Sequence, residues 1–346
     1  MVYFSFSFSH HGKYSSYHRL LNYCGPEDAV VDASLPSLFY KRWFNPRDIT
    51  VTSWRVHCEK RALKIARQQN HDWIHYLYPE HSCYNLRRIN RGDARVVMSC
   101  HLPAEKMKSS AGRPEFKKSL EHASALITMS PDDISYYEEV SPNAKVEFIP
   151  HGIDVHHFQP PSKEDIEQTA NSSVIRTLTV GNMMRDFDLL AKTINLAGER
   201  KLDIRFRVVA NQIYLDRVKS LLTTKGKLLF EPYCGVSDAK LISLYHTSHL
   251  LFLPLIAATA NNAVMEAMAC GLPMLLTDLP ATRIYTEDTA KYFSENDPGT
   301  IIDLIIELAG NTQQLAQFSQ AIRDRAVSDF SWEAIAKRQN DFLAKV

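Results

Sequence analysis

One carboxylate, Glu266, stands in the otherwise small and apolar run ATANNAVMEAMACGLPMLLTD, residues 258 to 278. The flanking runs LLFLPL and MLLTD have the composition of short strands buried on both faces. Between them Asn261 or Asn262 can N-cap a helix that Gly271 closes, with Pro273 preventing its continuation, so the stretch reads as a βαβ unit. Ala263, Val264, Met265, Ala267, Met268 and Ala269 leave that helix no polar face, so it should be packed nearly all round. A buried carboxylate without a partner is costly or protonates. Glu266 must therefore reach a polar group near the helix start, and either a ligand or the backbone amides of a neighbouring loop would serve.

Other residues could also do chemistry. The stretch VGNMMRDFD offers a glycine, Gly181, a cation, Arg185, and the pair Asp186 and Asp188. An Asp-x-Asp pair can hold a divalent metal, but Asp186 stands just before LLAKTI, where an N-cap belongs, and capping is the favoured reading. His101 ends RVVMSCH, and ligands of open α/β sheets bind outside the carboxyl ends of strands. His151, His156 and His157 sit close together in PHGIDVHHF and could suggest a metal cluster. Glu80 in YPEHS is a weak candidate nucleophile. The loop SHHGKYSSYHRLL contains Gly12, Ser15 and Ser16 but no G-x-G-x-x-G, which disfavours dinucleotide binding by the first half.

The elements that must carry these groups alternate. Strand-like runs in the first half are VYFSFSF, AVVDAS, DITVTS, DWIHYLY, ARVVMSCH, ALITMS and VEFIPHG; in the second, IRTLTVG, IRFRVVA, KLLFEPY, HLLFLPL and PMLLTD. Helical stretches separate them, which implies parallel sheets, and the break near residues 150 to 165 implies two doubly wound domains. The expected division is 1–152 and 153–330, with an amphipathic helix at about 331–346 that could pack back on the first domain.

Composition narrows the class. The chain has 346 residues, 45% hydrophobic and 23% charged, an ordinary balance for a soluble protein of two domains. Nothing approaches the run of about 18 apolar residues that a membrane span needs. A net charge of +1 argues against a nucleic-acid partner. Basic residues do concentrate in NLRRINRGDAR and EKMKSSAGRPEFKK, either a solvated surface or a patch for anionic headgroups or an acidic acceptor. The six cysteines show no C-x-x-C spacing and read as free thiols in a reducing compartment. The expected location is cytoplasmic, with contact at the inner face of the membrane left open.

Four segments, VEFIPHGIDVHHFQP, TVGNMMRDFDLL, GVSDAKLISLYHTSHLLFLPL and TANNAVMEAMACGLPMLLTD, occur in an order and spacing that resemble retaining family 4 glycosyltransferases (group 1). The resemblance implies the GT-B fold: two Rossmann-like α/β domains facing a central cleft, acceptor on the first and nucleotide-sugar donor on the second. It assigns Glu266 to the ribose hydroxyls of the nucleotide and His101 to the reacting sugar. The family's other glutamate falls on Ala258, which removes a contact expected to reach the donor sugar. The amides of Thr259, Ala260 and Asn261, with Asn262, still stand at a helix N-terminus, where the dipole favours a phosphate or sugar oxygen. Many relatives carry an Arg and a Lys after the glycine matched by Gly181. Here Asn182 and Phe187 fall on those positions, and Arg185 between them is the expected diphosphate cation. Gly12 matches the family loop that closes over the donor phosphates.

The resemblance thus implies transfer of a hexose-type unit from a nucleotide-sugar to an acceptor hydroxyl of a glycan, lipid or small molecule, with retention, as in cell-surface polysaccharide biosynthesis. His101, Arg185 and Glu266 are the expected catalytic residues, without metal or other cofactor. A nucleotide-sugar-binding protein without turnover and a GT-B sugar-nucleotide epimerase are the alternatives.

Overall fold

The computed structural model describes residues 1–6, 14, 16–34, 49–108, 114–258 and 260–346. Gly12, Ser15 and Thr259, and part of the basic segment 105–118, lie outside them. The chain divides into two compact units, one formed by residues 1–152 with 332–346 and the other by 153–331.

The first unit holds β1 (Val2–Ser5), β2 (Ala29–Asp32), β3 (Trp73–Tyr76), β4 (Arg95–Cys100), β5 (Ala125–Thr128) and β6 (Lys145–Phe148). They pair in parallel in the order β2-β1-β3-β4-β5-β6. β1, β3 and β5 are buried at every position, as inner strands covered on both faces must be, while the edge strand β6 alternates between exposed and half-buried.

The segment DITVTS departs from expectation. Ile49–Gln68 form one helix, α1, so ITVTS is its first turn and a half rather than a strand. The β-branched residues there carry only a weak local preference. A helix of 20 residues that packs on β1, β2 and β3 outweighs it.

The second unit holds β7 (Ile175–Val180), β8 (Ile204–Val209), β9 (Phe230–Tyr233), β10 (Leu250–Leu253), β11 (Met274–Thr277) and β12 (Lys291–Phe293), in the parallel order β12-β11-β10-β7-β8-β9. β12, of three residues with two half-buried, has too little apolar character to announce itself in sequence. The helices needed below are α2 (Lys163–Ala170), α3 (Phe187–Glu199), α4 (Asp238–His246), α5 (Asn262–Cys270), α6 (Pro298–Gly310) and α7 (Thr312–Phe330). One apolar core, with Phe206, Phe252, Ile194 and Ile302 among its members, joins the sheet to α3 and α6. The last helix, α8 (Trp332–Leu343), belongs to the first unit and packs on the short 3-10 helix Tyr17–Tyr23.

Candidate active site

The order of the second sheet reverses at β7: the chain runs β7, β8, β9 to one side and then returns to lay β10 on the other. The loops leaving the carboxyl ends of β7 and β10 therefore flank a topological switch point, where open α/β sheets bind ligands. Backbone bonds tie these loops together, Asp186 N–H to Pro254 O at 2.9 Å and Ile256 N–H to Met184 O at 2.9 Å. Arg185, Asn261 and Glu266 all stand on or just behind them.

Asn261 caps α5: its Oδ1 accepts from Ala263 N–H at 3.1 Å and also from Arg185 Nη2 at 3.2 Å. Gly271 ends the helix in the left-handed region, φ +66°. Every residue from Ala263 to Cys270 is buried, while Asn262 is exposed and Ala258 and Ala260 are half-buried.

Glu266, only 6% exposed, accepts a hydrogen bond from the Tyr245 hydroxyl at 2.8 Å. The carboxylate thus has a protein partner that is neither a loop amide nor a ligand. Burial, and then the charge of Glu266, push the Tyr245 hydroxyl pKa well above its ordinary value, so it stays a donor. Sequence reading missed Tyr245. The signal was a buried tyrosine, whose hydroxyl needs a partner, on a helix next to an apolar helix with one carboxylate.

Arg185 is folded inward. Its Nε and Nη2 donate to Val180 O at 2.9 and 2.7 Å and its Nη1 to Met183 O at 2.8 Å. With the Asn261 bond, four of five N–H donors are engaged. The cation braces the β7 loop and has one N–H outside these four bonds, rather than presenting a fork. Burial lowers its pKa to about 10, opposed by the nearby Tyr245 hydroxyl and Glu266 carboxylate, so it remains protonated at neutral pH. Gly181 permits this packing: its φ is +107°, and a Cβ there would overlap Arg185 Nη2. Asn182 Oδ1 is likewise occupied, by Asn211 N–H at 2.7 Å.

Both members of the Asp-x-Asp pair make bonds within the protein. Asp186 caps α3 by accepting from Leu189 N–H at 2.9 Å, and Asp188 pairs with Arg217 at 2.8 Å on the surface. No group of three or more His, Cys, Asp or Glu side chains able to hold a metal occurs among the described residues, His151, His156 and His157 included.

In the first unit, His101 follows β4 directly. Its Nε2 lies 2.8 Å from Leu77 O, a contact in which the imidazole must donate, so the lone pair is on Nδ1. The ring stacks on Tyr78 at 4.9 Å and meets the edge of Tyr17 at 4.9 Å. Burial lowers its pKa to about 4, which keeps it neutral at physiological pH. Glu80, buried, accepts from the N–H groups of His101 and, at 2.9 Å, Leu102. The candidate nucleophile of the sequence thus holds the turn that follows β4. Behind them runs a buried chain from His75 Nε2 to Ser99 Oγ at 2.8 Å and on to the Tyr17 hydroxyl at 3.1 Å. His151 and Trp332 close this cluster, and Gly152 has no side chain because a Cβ would lie 2.5 Å from the Trp332 ring.

Of the basic segments, Arg91 is turned to Ala94 O at 2.9 Å and Arg95 lies over the Trp73 ring, while Arg87 and Arg88 are exposed. No helix among the described residues is long and apolar enough to cross a membrane.

Comparison with known proteins gives a consistent answer. The model of Glycosyltransferase Family 4 matches residues 23–157, and that of Glycosyl transferases group 1 matches residues 175–311. No curated protein matches the sequence. Among solved structures, sucrose-phosphate synthase from Thermosynechococcus elongatus is 16% identical, with 99% of this chain and 98% of that chain covered and a TM-score of 0.74. HepE from Anabaena, solved with UDP and glucose, is 13% identical over 100% of both chains, TM-score 0.75. A glycosyltransferase from Rickettsia africae is 15% identical over 99% of this chain and 97% of that one, TM-score 0.69. At these identities the likeness establishes the fold, GT-B, and the sequence matches to both halves establish the rest: the chain belongs to the family 4-like, group 1 glycosyltransferases.

Proposed function

We propose that this glycosyltransferase moves a hexose-type unit from a nucleoside-diphosphate sugar to an acceptor hydroxyl, retaining the anomeric configuration and using no metal. The second unit binds the donor and the first the acceptor. The observation that carries the reading is the grouping of Asn261, Arg185 and Glu266 around the switch point, an N-terminal helix end with a cation and a carboxylate. That set matches a nucleotide: helix amides and the remaining Arg185 N–H for the diphosphate, Glu266 for ribose hydroxyls.

In the proposed step the bond between the sugar C1 and the diphosphate oxygen breaks while the acceptor oxygen bonds to C1 on the same face. The acceptor proton passes to the departing diphosphate. Charge grows on that diphosphate in the transition state, so donors already fixed there lower the barrier without reorganising. His101 Nδ1, neutral and holding a lone pair, accepts from a sugar hydroxyl and orients it rather than transferring a proton. The acceptor is a glycan, lipid or small molecule; the exposed Arg87 and Arg88 suit an anionic one or a headgroup surface.

Two features favour a second reading, a nucleotide-sugar binder with little turnover: Ala258 in place of a carboxylate, and an Arg185 already engaged. Incubation with UDP-, GDP- and ADP-sugars in excess EDTA separates the readings. Transfer, or slow hydrolysis that keeps the anomeric configuration, supports the first. Tight binding without turnover supports the second, abolition that magnesium or manganese restores overturns metal independence, and an epimerised donor overturns both.

A further inference from the structure

A cavity of about 520 Å³ opens in the second unit at the amino ends of β7, β10 and β11, the edge of the sheet opposite the loops that carry Arg185 and Asn261. Its size is that of a small-molecule site, which typically runs about 300 to 1,000 Å³. The walls come from the ends of α2, α4, α5 and α6 and from the start of α7, with Ile166, Ile175, Leu272, Pro273, Ile306 and Leu315 supplying the apolar surface.

The chemistry of the lining selects its occupant. Among the described residues, no Asp, Glu, Lys or Arg lines the cavity. Several polar groups of the wall are turned to their own backbone: Ser248 Oγ donates to Leu244 O at 2.7 Å, His246 Nε2 to Gln159 O at 2.7 Å, and His249 Nδ1 accepts from Arg176 N–H at 3.1 Å. Burial lowers the His249 pKa to about 4, so that imidazole adds no charge. A carboxylate or phosphate would lose its hydration here and find hydroxyls and an amide but no Lys or Arg side chain of the lining to pair with. An uncharged hydrocarbon chain would lose only unfavourable contact with water.

The cavity also shares a wall with the candidate site. Tyr245 lines it, and the hydroxyl of the same ring donates to Glu266. Cys270, another lining residue, lies one turn beyond Glu266 on the same face of α5. An occupant pressing on this wall bears on Tyr245, a side chain whose hydroxyl is bonded to the Glu266 carboxylate. We propose that the cavity is a second binding site, for an uncharged aliphatic chain, and that its occupant alters nucleotide affinity through Tyr245. The coupling rests on the nucleotide reading of Glu266; the binding site does not.

The test uses the full chain, Nile red as a neutral fluorescent probe and 1-dodecanol as competitor. Saturable Nile red binding that dodecanol displaces is expected, weakened at least about tenfold by Ala309→Trp, which fills the cavity, and by Leu315→Asp, which charges its wall. Ile213→Ser, an exposed apolar residue elsewhere in the unit, should leave it unchanged. Saturating dodecanol should change the Kd of UDP, GDP or ADP, whichever binds, by about fivefold, a common size for coupling between sites. Tyr245→Phe keeps the wall and removes the link, so it should bind Nile red normally and lose the fivefold effect. Absence of saturable binding, or binding indifferent to both cavity variants, overturns the site. An unchanged nucleotide Kd in the dodecanol-saturated wild type overturns the coupling. Failure of any nucleoside diphosphate to bind while Nile red still does overturns the coupling together with the reading of Glu266, and leaves the cavity site supported.

Discussion

Replacing Glu266 by glutamine separates the two demands placed on that side chain. In the folded chain it is 6% exposed and takes the Tyr245 hydroxyl at 2.8 Å. Glutamine keeps the shape and a carbonyl oxygen that can accept the same bond. Apo stability should therefore change by no more than about 1 kcal/mol, or about 2–4 °C in Tm for a domain of this size. Glutamine lacks the charge with which a carboxylate accepts two ribose hydroxyl protons. Hydrogen bonds to charged groups contribute about 1.5–3 kcal/mol each. At about 1.4 kcal/mol per factor of ten, losing one or two weakens nucleoside diphosphate binding by roughly 10- to 1000-fold. Titration calorimetry reads the affinity and melting curves the stability, both with and without nucleotide. Glu266→Ala adds a control: it leaves the buried Tyr245 hydroxyl without its partner, an expected loss of about 1–3 kcal/mol before the cost of the vacated space. A Glu266→Gln protein that melts several degrees lower yet binds nucleotide as tightly as wild type would refute the argument. Glu266 would then be a structural residue, bonded to Tyr245.

His101→Ala should lower turnover while nucleoside diphosphate Kd stays within about twofold, and equal loss of both would remove His101 from the sugar pocket. Because burial holds the His101 pKa near 4, the rate profile of the wild type should show no limb near pH 6.5 that this substitution abolishes. Glu59, fully buried, accepts from the N–H groups of Tyr84 and Asn85, both at 2.9 Å, and from the Tyr76 hydroxyl at 3.1 Å, but burial still raises its pKa from 4.5 to about 7. The folded state then binds more protons than the unfolded one across that window, so this group's contribution to stability falls as pH rises from about 4.5 to 7. The fall is of order 3 kcal/mol at most, and Glu59→Gln should flatten it in denaturant titrations at several pH values. Gly152→Ala places a methyl 2.5 Å from the Trp332 ring and should cost about 1–3 kcal/mol by chemical denaturation; an unchanged midpoint would show that α8 can shift to receive it.

Local sequence was sufficient where neighbours in the chain decide the outcome. The helix around Glu266 was legible because its cap, its apolar face and its terminating glycine all lie within a dozen residues and obey short-range geometry. Asp186 as a cap was legible for the same reason. The parallel strands were legible because strands covered on both faces must be continuously apolar. Local reading failed at ITVTS, where a long helix packed on three strands overrides β-branched preference, and at β12, whose few residues carry no pattern. The partner of Glu266 was beyond its reach, since Tyr245 lies 21 residues away and meets it only when α4 and α5 pack. Nor could sequence tell that Arg185 turns back on Val180 O, a choice made by the φ of Gly181 and the space its missing Cβ leaves. Residue type decided which groups could ionise, cap or be buried. Which of them ended within bonding distance, and which charges the protein consumed internally rather than kept for a ligand, was decided by tertiary packing, because desolvation leaves no buried donor or carboxylate at liberty to choose water instead.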